Sequence, residues 1–324
     1  MTPQVLLLSG LYDFSTDFVT AALKERGATF LRLNREQLAT CRVTLDLVAA
    51  VIEVRSPSGL EATIDASSLR AVLFRQPIFL RNTPGYALSV AEQLERSQWS
   101  AFLRGLCVLD GSRWMNHPAK TYLAECKPYQ LRVAARLGFT VPPTRIGNDL
   151  AGIRSAQLGD PLIVKSLDTV LIHEGSDCLF TYSTASDIAS WHDEDLSSAP
   201  ALCQEFIRDK TDLRVTVVGS NIFAVRIEEG GRGIEGDWRV RPRDQVQFVP
   251  IDLSEECARL CLRLAETLGL PFAAIDLLEA GDERKIVFVE VNPTGEWGWL
   301  VRCGLPIDMA IADWLAKPEG ASCD

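Results

Sequence analysis

Histidine and lysine are scarce in this chain, and several familiar sequence signals are missing. Three histidines (His117, His173, His192) in 324 residues, none spaced with a second ligand, argue against a transition-metal centre. The nine cysteines form no C-x-x-C pair and are odd in number. That argues against a disulfide framework or zinc ribbon and points to a reducing, cytoplasmic setting. No apolar run approaches the roughly 18 residues of a membrane span. The N-terminus MTPQVLLLSG has neither the basic flank nor the small-residue cleavage site of a signal peptide, so VLLLSG reads as a first strand. A net charge of −10 argues against a broad nucleic-acid surface, while a local phosphate site stays open. There is also no Ser-His or Cys-His constellation, so no protein nucleophile is indicated.

What is present is alternation of strand and helix, long enough for two or three packed subdomains. VLLLSG precedes the amphipathic TDFVTAALKERG, whose Gly27 suits a helix C-cap. Residues 43–64 read as one or two hairpins with Ser58-Gly59 as a turn, and LRAVLFRQP as a buried strand ending in Arg75 and Pro77. Tyr86 to Leu109 has helical periodicity, and a small α/β domain is expected up to residue 117. The stretch TYLAECKPYQLRVAARLGF predicts a helix in which Pro128 must make a kink or occupy the first turn. Cys126 within it is read as a small buried apolar residue. A hairpin is expected around Glu174-Gly175-Ser176. Gly231, Gly233 and Gly236 fit G-x-G-x-x-G, but DWRVRPRDQV after them has no apolar helical period. A mobile glycine-rich loop is expected there, not a dinucleotide fingerprint.

The chemistry concentrates late in the chain. If FAAIDLLEAGDERKIVFVEVN turns symmetrically about Glu283, Asp276 lies opposite Glu290, and Asn292 points to the same face. Like charges face to face are destabilising without a cation between them, and three oxygen donors with no His or Cys suit Mg²⁺ completed by waters and phosphate oxygens. Only seven lysines exist, yet Lys165 lies inside the strand PLIVKSL, where an unpaired ammonium is costly and a phosphate is a natural partner. Lys127 is a second candidate, though alone it is equally a solvated helix lysine. In TDLRVTVVGSNIFAVRIEE a three-residue turn at Gly219-Ser220-Asn221 would set Arg214 opposite Arg226. A two-residue turn would put them on opposite faces. Paired arginines would suit a phosphate or a developing acyl-phosphate charge. In ALCQEFI, Glu205 and the backbone at Phe206 and Ile207 could bond a purine edge, or Glu205 could be an edge-strand glutamate.

The order of these features resembles the ATP-grasp superfamily of carboxylate–amine ligases over residues 115–315. Closer still, FRQP, MNHP, CKPYQLRVAARLGFTVPPT, TDLRVTVVG, DWR and EVNPTGEWGWL followed by GLPI look like the microviridin-type, or graspetide, peptide macrocyclases. FRQP departs from that pattern in lacking a second arginine after Arg75. The resemblance implies an α/β (α+β) ATP-grasp fold. It divides into an N-terminal pre-ATP-grasp domain (1–117), a central lid subdomain (118–200) and a C-terminal subdomain with the Mg–ATP site (201–324). It implies that Lys127 and Lys165 hold ATP phosphates, that Gln204, Glu205, Phe206 and Ile207 form the adenine hinge, and that Asp212 is a further nucleotide contact. Asp276, Glu290 and Asn292 would bind Mg²⁺. Arg214, Arg226 and Arg239 would serve catalysis, while Arg75, Asp237 and Trp238 would face the substrate. Trp297 and Trp299 would keep water from the intermediate. The implied reaction activates an Asp or Glu side chain of a precursor peptide as an acyl phosphate, captured by a Ser, Thr or Lys side chain of the same peptide. Its implied partner is that peptide, a leader followed by an acidic core, with neither nucleic acid nor membrane, and a homodimer is expected. The alternatives are a ligase adding a free amino acid and an ATP-grasp kinase.

Overall fold

The computed structural model describes residues 1–75, 88–168 and 183–317, with the backbone of the short strands Leu171–Glu174 and Asp177–Phe180. Pro77, Tyr86 and the Gly175-Ser176 turn lie outside these residues. No described helix is long and apolar enough to cross a membrane.

Val5–Ser9 is buried along its whole length, as a central parallel strand covered on both faces must be. Phe30–Asn34 and Ala71–Phe74 flank it in parallel, and Arg113–Met115 lies beyond Ala71–Phe74. The helix Phe14–Glu25 closes with Gly27 at φ +64°, the left-handed conformation that favours glycine. Residues 42–65 form a three-stranded antiparallel meander with Gly59 in its second turn. Its Ile52, Val54 and Ile64 pack on Leu6, Leu8 and Phe74.

The helix expected from Thr121 onward is two helices, Pro118–Glu125 and Lys127–Leu137, broken by extended backbone at Cys126. Pro128 sits in the first turn of the second, where its missing N–H has no intrahelical partner to lose. Cys126 is exposed rather than buried, because it occupies the break and not a packed face. A four-stranded antiparallel sheet follows, ordered Thr184–Ser186, Leu162–Lys165, Ala201–Glu205, Thr144–Gly147. Ala201–Glu205, grouped by sequence with the C-terminal unit, therefore pairs on both sides with central strands. Glu174 pairs with Asp177 in the expected hairpin.

The largest sheet runs Arg232–Gly233, Asn221–Glu229, Lys210–Val218, Phe272–Ala280, Lys285–Asn292, with Gln247–Ile251 also paired to Asn221–Glu229. One face is covered by the helix Glu255–Leu268, whose Cys257, Cys261, Leu264 and Leu268 meet Leu213, Val215 and Leu277. The other face joins Val218, Val225 and Phe272 to Leu7, Val19 and Leu73, so the N-terminal and C-terminal units share one core. The G-x-G-x-x-G segment opens no helix: Arg232–Gly233 is an edge strand. A Cβ at Gly233 would lie 2.0 Å from the Lys210 carbonyl oxygen, so only glycine permits this approach.

Asn116, buried between the units, donates to the carbonyls of Phe272 and Pro293 at 2.8 Å each and accepts from Phe272 N–H at 3.0 Å. Asn116→Ala leaves these buried backbone groups without their partner. Urea unfolding is expected to show a loss of about 3 kcal/mol, given roughly 1–3 kcal/mol for each unsatisfied buried group. A loss below about 1 kcal/mol would remove Asn116 from the role of clip between the units.

Candidate functional site

The carboxylates meet through an irregularity that symmetric folding of the hairpin does not anticipate. Ala280 pairs with Lys285 and Leu277 with Phe288, a register that would set Asp276 opposite Val289, one residue short of Glu290. A bulge at Val289 adds one residue, and Asp276 then lies opposite Glu290 as the sequence predicts. Packing explains the bulge. Phe288 and Val291 both belong to the helix-covered core, which strict alternation forbids for residues three apart. Asn292 shares the carboxylate face, donating at 3.2 Å to Asp276 Oδ2 and at 3.2 Å to Glu290 Oε1.

Cations surround this pair. Arg214, on the adjacent strand opposite Asp276, donates to its Oδ1 at 2.8 Å, while its own buried Nε has no partner. Arg239 Nη2 lies 3.8 Å from Asp276 Oδ2 and 3.8 Å from Glu290 Oε1. Lys165 Nζ donates to Gln204 Oε1 at 3.1 Å. Lys127 borders the same small cavity as Lys165, Gln204 and Glu290. Burial lowers the Lys165 pKa, an effect that Glu290 opposes and Lys127 adds to. Burial pushes Asp276 up to about 6 against the pull of Arg214. Burial also raises Glu290, but Lys165, Arg239 and Lys127 outweigh it and hold the carboxyl below its usual range.

Around these charges lies a solvent-open cleft, about 780 Å³ when the open solvent at its mouth is included. Lys165, Gln204, Glu205, Phe206, Ile207, Asp212, Asp237, Trp238, Arg239, Asp276 and Glu290 all line it. Five apolar lining residues, Pro142, Ile163, Leu213, Leu278 and Val289, were not singled out from sequence, nor was Lys210. Period-two reasoning could have found three of them. Ile163 is two before Lys165, Leu278 two after Asp276 and Lys210 two before Asp212, each on the same strand. Lys210 pairs with Asp212 and donates to Gly236 O at 2.7 Å, tying the glycine-rich segment to the cleft. Asp237 accepts from Arg239 N–H at 3.0 Å, which fixes the turn carrying Trp238 and Arg239.

Other expected residues stand elsewhere. The Gly219-Ser220 turn has two residues, so Arg226 faces Leu213 and Arg214 faces Val225. Arg226 thus lies on the sheet's other face, bonded to Glu279 at 3.1 Å, and does not join Arg214. Arg75 does cross from the N-terminal unit, but to the loop after Asn292. It bonds Thr294 O, Gly295 O at 3.2 Å and Glu296 at 2.6 Å instead of lining the cleft. Trp297 is buried in the shared core, whereas Trp299 packs 4.3 Å from Phe248 and 6.2 Å from Trp238, centroid to centroid. Of the two expected covers, only Trp299 neighbours the site.

The donor set at the carboxylates fits a hard cation. Among the described residues no group of three or more His, Cys, Asp or Glu side chains is placed to hold a metal. An ion here would rest on Asp276, Glu290 and, after rotation of its amide, Asn292. Waters or phosphate oxygens would complete its shell, a ligand set of Mg²⁺ and not of Zn²⁺.

Residues 129–315 match the RimK-like ATP-grasp domain. The chain is 28% identical over 182 residues to a probable alpha-L-glutamate ligase of Mannheimia succiniciproducens, covering 55% of this chain and 58% of that protein. It therefore spans little more than half the length of that relative. Among solved structures it is similar to the macrocyclase MdnB from Microcystis aeruginosa MRC, at 25% identity and TM-score 0.77, covering 98% of this chain and 100% of that one. It also shares the fold of a Chryseobacterium gregarium RiPP-associated ATP-grasp ligase in complex with ADP and a leader and core peptide. There the identity is 21% and the TM-score 0.84, with 97% of each chain covered.

Lys165→Met removes the cation that most lowers the Glu290 carboxyl. The Glu290 titration midpoint, followed by carboxyl ¹³C NMR in ligand-free protein, is expected to rise. A depressed carboxyl contributes stability above its unfolded pKa that is lost as pH falls through its folded value. The variant should thus lose that contribution at a higher pH. An unmoved midpoint would show that Lys165 does not act on Glu290.

Proposed function

The chain belongs to the RimK-like ATP-grasp family, and on that basis we propose that it is an ATP-dependent ligase acting on a peptide. It activates an Asp or Glu side chain of that peptide and joins it to a hydroxyl or amine of the same chain. The observation that carries the nucleotide half is the cleft itself. Half-buried Lys165 and buried Arg214 converge on two facing carboxylates at one end, beside apolar Ile163 and Leu278 and the Gln204–Ile207 segment. Such a space suits a triphosphate with a flat heterocycle. The peptide half is supported by likeness to macrocyclases along the whole chain, including the N-terminal unit. A second reading, addition of a free amino acid as in a glutamate ligase, is favoured by the named glutamate-ligase relative.

In this reading Lys127 and Lys165 bind phosphate oxygens, and Gln204 to Ile207 hold the base with Asp212 at its edge. Mg²⁺ held by Asp276, Glu290 and Asn292 would neutralise phosphate charge. A substrate carboxylate oxygen forms a bond to the γ-phosphorus while the bond to the bridging oxygen breaks, and ADP leaves with the electron pair. Arg214, with its spare Nε, stabilises charge on the transferred group. The acceptor oxygen or nitrogen then bonds to the acyl carbon, the bond to the phosphate oxygen breaks, and the acceptor's proton passes to the departing phosphate. Asp237 holds the turn that presents Arg239 and Trp238 to the acceptor side.

Each bond made should remove one water from the peptide and release one ADP and one phosphate, which mass spectrometry and nucleotide assay of a candidate peptide with ATP and Mg²⁺ would follow. Phosphate gain without water loss would favour a kinase, and attachment of an added amino acid would favour the second reading. Glu290→Gln should lower Mg²⁺-dependent ATP turnover at least ~10-fold with circular dichroism unchanged. Turnover unchanged in that variant would sink the metal assignment. Trp238→Ala should slow peptide modification while nucleotide still raises the melting temperature as in the unaltered protein.

A further inference from the structure

Lys285–Asn292 is the end strand of the large sheet, so no further strand of that sheet covers the peptide groups along its outer edge. Two points on that edge are nevertheless held. Phe288 N–H donates to Thr140 O at 2.8 Å. Val291 is gripped by Gln130, a buried side chain of the helix Lys127–Leu137. Its Oε1 accepts from Val291 N–H at 2.6 Å, while its Nε2 donates to Val291 O at 3.3 Å and to Ala124 O at 3.1 Å. The side-chain amide thus answers one residue of the strand as a neighbouring strand would. In a regular strand the peptide groups of successive residues point to opposite edges. Phe288 and Val291, three apart, both face outward only because Val289 is bulged. Gln130 therefore fits the strand only when the bulge is in place.

Val291 stands between two of the three donors assigned to the metal ion, Glu290 and Asn292. With the bulge, both lie beside Asp276. Without it, the register of Leu277 with Phe288 would continue, setting Glu290 opposite Ile275 and Asn292 opposite Ala273. Those two residues belong to the helix-covered core, so both donors would leave the site face. We infer that Gln130 is a positioning residue for the metal site. By holding Val291 at both peptide groups it locks the bulge and keeps Glu290 and Asn292 beside Asp276. The inference rests on the metal assignment above. Lys127 precedes Gln130 by three residues on the same helix, and both border the small cavity shared with Lys165 and Glu290. One helix thus carries a proposed phosphate ligand and the grip on the metal-binding strand. A full slip would bury Glu290 in the core, so loss of Gln130 loosens the bulge without erasing it.

The test follows binding of mant-ADP to the full chain by fluorescence, with free Mg²⁺ varied and, separately, with EDTA. Mg²⁺ is expected to tighten binding to the unaltered chain. In Gln130→Met the free Mg²⁺ needed for half of that effect should rise about 10-fold, as when a residue that orients metal ligands is lost. Gln130→Asn keeps an amide but stops one methylene short of Val291, and should behave alike. Binding in EDTA should be unaltered in both. Ile64→Ala, a cavity in the N-terminal meander outside the site, should lower stability to urea and leave the Mg²⁺ requirement where it was. An unchanged Mg²⁺ requirement in the Gln130 variants, an equal rise in the Ile64 variant, or an equal loss in EDTA overturns the positioning role. Mg²⁺ without effect on the unaltered chain would instead remove the metal assignment, and this inference with it. Should neither Gln130 variant fold, hydrogen exchange in the unaltered chain decides. The Val291 amide is expected to exchange as slowly as that of Phe288, and exchange as fast as an exposed edge amide overturns the grip.

Discussion

Two carboxylates facing each other across adjacent strands repel, and the architecture around Asp276 and Glu290 answers that repulsion. Arg214 neutralises one from the neighbouring strand, Lys165 faces the other from the central sheet, and Arg239 reaches both from the turn after the glycine-rich segment. Each cation comes from a different part of the chain. The pair is thus the point on which the central sheet, the large sheet and the 237–239 turn converge. A ligand that brings its own phosphates and metal ion would find both signs of charge already arranged.

Holding the pair requires that its strands not slip, and buried side chains from other units grip the ends of those strands. Gln130, from the Lys127–Leu137 helix, accepts from Val291 N–H at 2.6 Å and donates to Ala124 O at 3.1 Å. Asn116 binds Phe272 at the start of one strand and Pro293 just past the end of the other. Arg75 binds the backbone of the following loop. Arg75 thus ties the loop that follows the Glu290 strand to the N-terminal unit.

Glycine and aromatic residues divide between order and access in the same way. Gly233 lets an edge strand approach the Lys210 carbonyl more closely than any side chain permits, and Lys210 in turn bonds Gly236. The residues after Gly236 carry Trp238 and Arg239 to the mouth of the cleft. Trp297 and Trp299, two apart in sequence, serve different ends: the first fills the shared core and the second extends the aromatic wall beside Trp238.

Strand periodicity by itself put Glu290 and Asn292 on one face, and a hairpin turning about Glu283 set Asp276 opposite them. A lysine inside an apolar strand marked Lys165 as needing a partner. Ordered motifs made the family legible through the rest of the ATP-grasp region. Side-chain direction across a turn was not legible, because one residue more or less inverts every face beyond it. The two-residue turn at Gly219-Ser220 separated Arg226 from Arg214 for that reason. The Val289 bulge restored the Asp276–Glu290 pairing because Phe288 and Val291 both had to enter the core. Which apolar residues wall the cleft, which tryptophan is core and which lies at the surface, and that Arg75 clips a loop were decided only by tertiary packing. Each depends on contacts between residues far apart in sequence, which local periodicity does not encode.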